Sequence, residues 1–117
     1  EPSYWFLRTR FEPGAVCVDK GRYCETLCAE GLPVTTDYRA ALPHTMRWFE
    51  ERRVFGTSGY PWASPEYSGD PDRLFPCPNA QAAMDAHFHI PIHEAWDAQE
   101  IDDTLTILRK VDAAYQV

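Results

Sequence analysis

The closing segment of the chain constrains its fold most, because it has the pattern of one long amphipathic helix behind an acidic cap. Asp97 and Glu100 have the spacing of a capping box, with Asp in place of the usual Ser or Thr. Apolar residues then recur at helical spacing: Ile101, Leu105, Leu108, Val111 and Tyr115. We expect a helix of about 18 residues, about 27 Å long, which would cover a small sheet.

The first third of the chain predicts a strand followed by a helix. Aromatic residues from Tyr4 onward favour a strand over roughly 3–11. Asp19 can cap a helix over about 20–30. Gly31 is then suited to the left-handed position after the helix, and Pro33 prevents the helix from continuing. We expect a short strand to follow at 34–36.

Residues 79–92 predict the remaining elements of the fold. Asn79 can cap a short helix through Met84, and the alternating residues from Phe88 to Ile92 favour a strand. The whole pattern predicts an α+β fold in one domain over 1–117. We expect a small, mainly antiparallel sheet with helices on one face.

Residues 37–78 form the irregular part of the sequence. Six of the ten prolines lie in this span, together with Gly56, Gly59 and Gly69. Trp48 to Glu51 can add one or two helical turns. A loop of this length in a compact domain is usually functional, or it packs on another domain.

Charge and cysteine content narrow the functional classes. A net charge of −7 and a pI near 4.9 argue against non-specific binding to nucleic acid or to an anionic membrane. Cys24 and Cys28 lie four residues apart on one helical face, so we expect free thiols in the core, with a disulfide or a metal site as the alternatives. Reduced thiols favour a cytoplasmic protein.

A histidine-rich segment raises the possibility of a zinc site. The even spacing of His87, His89 and His93 would direct all three side chains to one face of an extended strand. No Cys or His partner pattern completes a tetrahedral set. We therefore expect residues of the surface or of a domain interface, and a His-based zinc domain is the weaker alternative.

The candidate binding residues lie in the irregular loop. Tyr38, Arg39, His44 and Trp62 combine flat rings, a cation and hydrogen-bonding groups, which suit hydroxylated or phosphorylated ligands. Their expected roles are, in that order, ring stacking, anion pairing, hydrogen bonding to a hydroxyl, and an apolar wall. The alternative is a loop whose aromatic residues pack on a neighbouring domain or a protein partner.

An ordered series of short motifs resembles one enzyme family across nearly the whole chain. The series is Ala29-Glu30-Gly31-Leu32-Pro33, Asp37-Tyr38-Arg39 through His44, Tyr60-Pro61-Trp62, Cys77-Pro78-Asn79-Ala80, Ile90-Pro91-Ile92-His93 and the terminal helix. It resembles the C-terminal small domain of the DegT/StrS-type aminotransferases. These enzymes depend on pyridoxal phosphate (PLP) and aminate nucleotide sugars, aminocyclitols and related ketones.

The resemblance implies that the chain is a fragment of a larger enzyme with the aspartate-aminotransferase fold. The parent would transfer an amino group from an amino acid to a keto-sugar or keto-cyclitol, and it would be a homodimer. The large domain would carry the lysine that binds PLP. This chain has two lysines, Lys20 and Lys110, and neither matches that position. We expect the chain alone to bind no PLP and to have no catalytic residue.

Overall fold

The computed structural model describes residues 4–38 and 42–117. In chain order the elements are strand β1 (Phe6–Arg10), helix α1 (Lys20–Ala29), a 3-10 turn (Pro43–Thr45), helix α2 (Arg47–Glu50), helix α3 (Pro78–Asp85), strand β2 (His87–Pro91) and helix α4 (Ala98–Tyr115). The chain divides into two compact units. Residues 4–38 and 84–117 are here called the sheet unit, and residues 42–83 the loop unit.

The sheet unit confirms the α+β class at the level of its elements. β1 and β2 form a two-stranded antiparallel sheet, in which Leu7 pairs with Ile90 and Arg8 pairs with His89. Because neighbouring strand residues alternate between faces, Phe88 and Ile90 share a face that His89 does not. Both pack in the hydrophobic core with residues of α1 and α4, so these two helices cover that face.

Among the described residues ten hydrophobic side chains are buried, and eight of them form one cluster in the sheet unit. The cluster is Phe11, Tyr23, Cys24, Leu27, Leu32, Phe88, Ile90 and Val111. Two side-chain hydrogen bonds also join α1 to α4. Tyr23 Oη donates to Asp112 at 2.6 Å, and the Thr26 and Tyr115 hydroxyls lie 2.8 Å apart. Burial and the Asp112 carboxylate both raise the pKa of Tyr23.

The predicted ends of α1 are confirmed. The Asp19 side chain accepts from the Arg22 backbone N–H at 2.8 Å. At the other end Gly31 has φ +101°, which is left-handed backbone. Its N–H donates to Cys28 O, and the Leu32 N–H donates to Leu27 O, so two terminal carbonyls are satisfied by the turn.

Two predicted elements differ in the structure. The expected strand at 34–36 is a single bridge between Thr35 and His89, and the Thr36 carbonyl accepts from Lys20 Nζ at 3.0 Å. Asn79, the expected cap of the third helix, lies inside its first turn, because α3 begins at Pro78. Proline is favoured at the first helical position, since its missing N–H would have no partner inside the helix.

The apolar stripe predicted for α4 is only partly correct. Val111 is buried and Leu108 and Tyr115 are half-buried, but Ile101 and Leu105 are 51% and 40% exposed. The five-residue strands are about 17 Å long, whereas an 18-residue helix is about 27 Å long. The sheet is therefore too short to cover the whole stripe.

The predicted cysteine environment is also partly correct. Cys24 is fully buried, whereas Cys28 is exposed, and all four cysteines are free. Within the described ranges no helix is long and apolar enough to cross a bilayer.

Candidate functional site

The sheet unit has a small cavity on the side of β2 that bears His89. It is lined by Trp5, Phe6, Thr35, Tyr38, His89 and Pro91, and its volume is about 100 Å³. We call it the His89 cavity. Tyr38, which is one of the predicted binding residues, therefore lies at a concave site.

Two aromatic rings flank the His89 imidazole, and a third ring stands beside one of them. The Phe6 ring lies 4.5 Å from it between centroids, and the Tyr38 ring lies 5.6 Å away in an edge-on arrangement. Trp5 stands beside Phe6 at 6.1 Å. His89 itself is only 4% exposed, so aromatic side chains bury this face of the sheet where the helices bury the other.

The surroundings of the His89 imidazole lower its pKa. Burial is the largest cause of its lowered pKa, and the nearby Arg8, His87 and Lys20 lower it further. Among the described residues, the His89 Nε2 atom is buried without a hydrogen-bond partner. A buried nitrogen in this position can serve a bound group as donor or acceptor, depending on the tautomer.

The shape of the cavity depends on Lys20. Its ammonium donates to Thr36 O at 3.0 Å, to Met84 O at 2.9 Å and to His87 O at 3.1 Å. It also pairs with the Asp37 carboxylate at 3.1 Å. One half-buried cation thus joins the segment before Tyr38 to the start of β2.

Both lysines of the chain make ionic contacts. The Lys20 side chain is 13% exposed and makes four polar contacts. Lys110 pairs with Glu30.

The loop unit has a second concave surface, a groove of about 470 Å³. Its lining includes His44, Phe49, Glu50, Arg52, Leu74, Phe75 and Pro76. His44 is a predicted binding residue. Trp62 is another, and its ring lies 5.6 Å from the Phe49 ring that lines the groove.

Arg52 organises the rings of the loop unit. Its guanidinium lies 4.9 Å from the centre of the Phe49 ring, 5.1 Å from Trp62 and 5.9 Å from Phe75. It also donates to the carbonyls of Phe49, Pro71 and Arg73 at 2.7–3.0 Å. Cation–π contacts and three hydrogen bonds therefore hold one side chain at the centre of this aromatic cluster.

Arg52 also ends α2 in an unusual way. It has φ +55°, at the position after the helix where glycine is the common residue. The Arg52 N–H donates to Phe49 O and the Arg53 N–H to Trp48 O, which closes the helix as Gly31 and Leu32 close α1. Left-handed backbone at an arginine costs about 1–2 kcal/mol of free energy, and the contacts of the Arg52 side chain offset this cost.

The remaining predicted site residues have different outcomes. Arg39 lies outside the described residues, and so does the Ser3 end of the predicted first strand. His93 lies beyond the end of β2, where its Nδ1 accepts from the Ala95 N–H at 3.1 Å, so the prediction of three histidines on one strand face is wrong. Residues 4–38 and 42–117 contain no group of three His, Cys, Asp or Glu side chains arranged to hold a metal ion.

Sequence reasoning missed Arg52 and the role of Phe6. The role of Phe6 depends on the pairing of β1 with β2, which brings Phe6 to the face of the sheet that bears His89 and which no local pattern indicates. No local pattern indicated Arg52, because its ring partners lie up to 23 residues away in the sequence. Comparisons of this chain with protein-family models, with curated proteins and with solved structures found no match.

Proposed function

We propose that this chain is the small domain of a PLP-dependent aminotransferase that acts on a keto-sugar or keto-cyclitol. The proposal rests on the ordered motifs that resemble the DegT/StrS-type enzymes. The α+β class and the strand–helix order of the sheet unit are compatible with it. In this role the domain closes the active site formed with the large domain, and its loop contacts the substrate.

The observation that carries the proposal is where the candidate residues lie. Tyr38 lines the His89 cavity, His44 lines the groove of the loop unit, and Trp62 stacks in the cluster beside that groove. Aromatic faces next to hydrogen-bonding groups are suited to a hydroxylated ring. PLP supplies the electron sink for amino transfer in such enzymes, and the lysine that binds it would come from the large domain.

The first test locates the PLP attachment site. The chain would be expressed together with the residues encoded upstream of Glu1, incubated with PLP, reduced with borohydride and mapped by mass spectrometry. We expect the label on a lysine outside residues 1–117. Stoichiometric labelling of Lys20 or Lys110, or no labelled lysine anywhere, would contradict the proposal.

The second test separates substrate binding from cofactor chemistry. In the complete enzyme, His44→Ala and Tyr38→Phe should slow the half-reaction with the keto-sugar more than the half-reaction with the amino donor. His93→Ala and Tyr60→Phe are the matched controls, since both change exposed residues. Equal losses in both half-reactions would mean that the loop supports the fold or the cofactor site.

A non-catalytic interaction module is the second candidate function, favoured by the exposed apolar side chains of the loop unit. Phe55, Tyr60 and Leu74 are 63%, 52% and 83% exposed. Large exposed apolar groups close together mark interaction surfaces. If the His44 and Tyr38 variants slow neither half-reaction, while Phe55→Ser and Leu74→Ser abolish association with a partner, this candidate replaces the first.

A further inference from the structure

The His89 side chain combines deep burial with an unpaired polar atom. It is 4% exposed, and its Nε2 atom has no hydrogen-bond partner among the described residues. Leaving a buried donor or acceptor unpaired costs about 1–3 kcal/mol. Polar atoms of this kind are rare in folded proteins, and each calls for an explanation such as a bound molecule.

Backbone hydrogen bonds and strand pairing fix the position of the His89 backbone. The His89 N–H donates to Thr35 O and its carbonyl accepts from the Thr35 N–H, both at 2.9 Å. On the other edge of β2, Arg8 is its register partner. Phe6 and Tyr38 enclose the imidazole and leave Nε2 almost no accessible surface, so a ligand reaches this atom only when one of the two rings turns aside.

The walls of the His89 cavity favour a flat or cyclic ligand. Trp5, Phe6 and Tyr38 present aromatic rings, and Tyr38 and Trp5 are 38% and 75% exposed at the mouth. A buried cavity of about 150 Å³ holds one benzene ring. This cavity is smaller, at about 100 Å³, but its open mouth allows a six-membered ring to protrude.

The charges around the cavity favour a neutral ligand. Arg8 and His87 act on His89 from β1 and β2, and their combined field opposes a cation. An anion is disfavoured as well, since Lys20 is already neutralised by Asp37 and the aromatic faces of the walls are electron-rich. Burying a charge without a close partner costs several kcal/mol.

We propose that the His89 cavity binds a neutral ring that carries a hydroxyl group, with the hydroxyl hydrogen-bonded to His89 Nε2 and the ring against Tyr38 and Trp5. This inference rests on the geometry of the sheet unit and stands whether or not the chain belongs to an aminotransferase. Aromatic phenols and cyclic polyols share this chemistry, and the test distinguishes between them.

The test uses the whole chain with ¹⁵N-labelled histidine and three probes: phenol, myo-inositol and toluene. Long-range ¹H–¹⁵N spectra report the state of each ring nitrogen. We expect phenol or myo-inositol to shift the His89 Nε2 signal saturably. Toluene should bind roughly three- to tenfold more weakly than phenol if phenol is the ligand, because it cannot form the hydrogen bond.

Two variants extend the test. His89→Phe keeps an aromatic ring but removes Nε2, so it should abolish the preference for phenol over toluene. Tyr38→Leu should weaken every ring probe that binds, whereas Tyr60→Leu in the loop unit should have no effect. Saturation by myo-inositol alone would assign the site to cyclic polyols.

Several outcomes would overturn the inference. The first is equal affinity of the wild-type chain for phenol and toluene without binding of myo-inositol. The second is a set of saturable shifts in other histidine signals that leaves the His89 signals unchanged. The third is no binding of either hydroxylated probe. The wild-type nitrogen shifts need no variant, so the inference can be rejected even if His89→Phe does not fold.

Discussion

At the residue scale, individual polar side chains connect distant parts of the sheet unit. Lys20 joins three backbone carbonyls and one carboxylate that lie far apart in the sequence. The sequence showed only a lysine at the start of a helix, so its role follows from the tertiary structure. The same applies to His89, whose burial comes from rings on β1 and at the end of the 34–38 segment.

Replacing Lys20 with Met should lower the free energy of unfolding by about 2–4 kcal/mol. The variant leaves the carbonyls of Thr36, Met84 and His87 without their donor and Asp37 without its cation. Urea denaturation followed by circular dichroism measures the change. Lys110→Met is the control: that side chain is 63% exposed, so its pair with Glu30 should contribute less than about 1 kcal/mol. Equal losses in both variants would contradict this role for Lys20.

His89 should make the stability of the chain depend on pH below neutrality. Its pKa in the folded chain is below the ordinary value, through burial and through Arg8, His87 and Lys20. As pH falls below about 6.5, the unfolded chain therefore takes up a proton that the folded chain does not, and stability is lost. His89→Gln should flatten this slope in unfolding free energy, whereas His93→Gln should keep it. An unchanged slope in the His89 variant would refute the assignment.

At the element scale, the helix ends follow local rules and the buried helix faces do not. The capping box of α4 forms as its spacing predicted, with the Asp97 side chain accepting from Gln99 N at 2.7 Å and Glu100 accepting from Asp97 N at 2.9 Å. The stripe behind it is buried only where the sheet reaches it. Ile101 and Leu105 have the correct spacing but lie beyond that cover.

Replacing Asp97 with Ala should lower the free energy of unfolding by about 1 kcal/mol, because the first turn of α4 loses its cap. Thermal unfolding monitored by circular dichroism is a suitable measurement. Asp102→Ala, an exposed position inside the same helix, should change stability by less than about 0.5 kcal/mol. If the two variants unfold alike, the cap is not what stabilises this end.

At the scale of the whole molecule, the two units differ in the interactions that stabilise each of them internally. The sheet unit has a hydrophobic cluster centred on fully buried Leu27, Val111 and Cys24. The loop unit has one buried large apolar residue among those described, Leu42, and depends instead on rings around a guanidinium. The irregular sequence of 42–78 is therefore compatible with an ordered cluster.

Replacing Arg52 with Met should speed amide hydrogen exchange in residues 42–83 by about tenfold, because three carbonyls and three rings lose their common partner. Arg52→Gly should have a smaller effect, since glycine relieves the cost of the left-handed backbone. The control is Arg53→Met, whose exposed side chain only pairs with Glu51 at 3.6 Å. Exchange in 42–83 that is unaffected by Arg52→Met would exclude this organising role.

The sequence by itself determined the features that depend on near neighbours in the chain. Caps at Asp19 and Asp97, the left-handed turn at Gly31, the bounds of α1 and α4 within one residue, and the α+β class all follow from local hydrogen bonding and periodicity. Tyr38, His44 and Trp62 could also be selected as candidates, since ring and hydrogen-bonding residues cluster in the loop.

Only the tertiary structure decided which of these residues meet and which are buried. The pairing of β1 with β2 places Phe6 beside His89 across about 80 residues, and nothing local encodes that distance. The same pairing leaves His93 off the strand and Ile101 without cover. Burial depends on how all the elements pack together. The unpaired His89 Nε2 atom and the aromatic cluster around Arg52 therefore exist only in the folded chain.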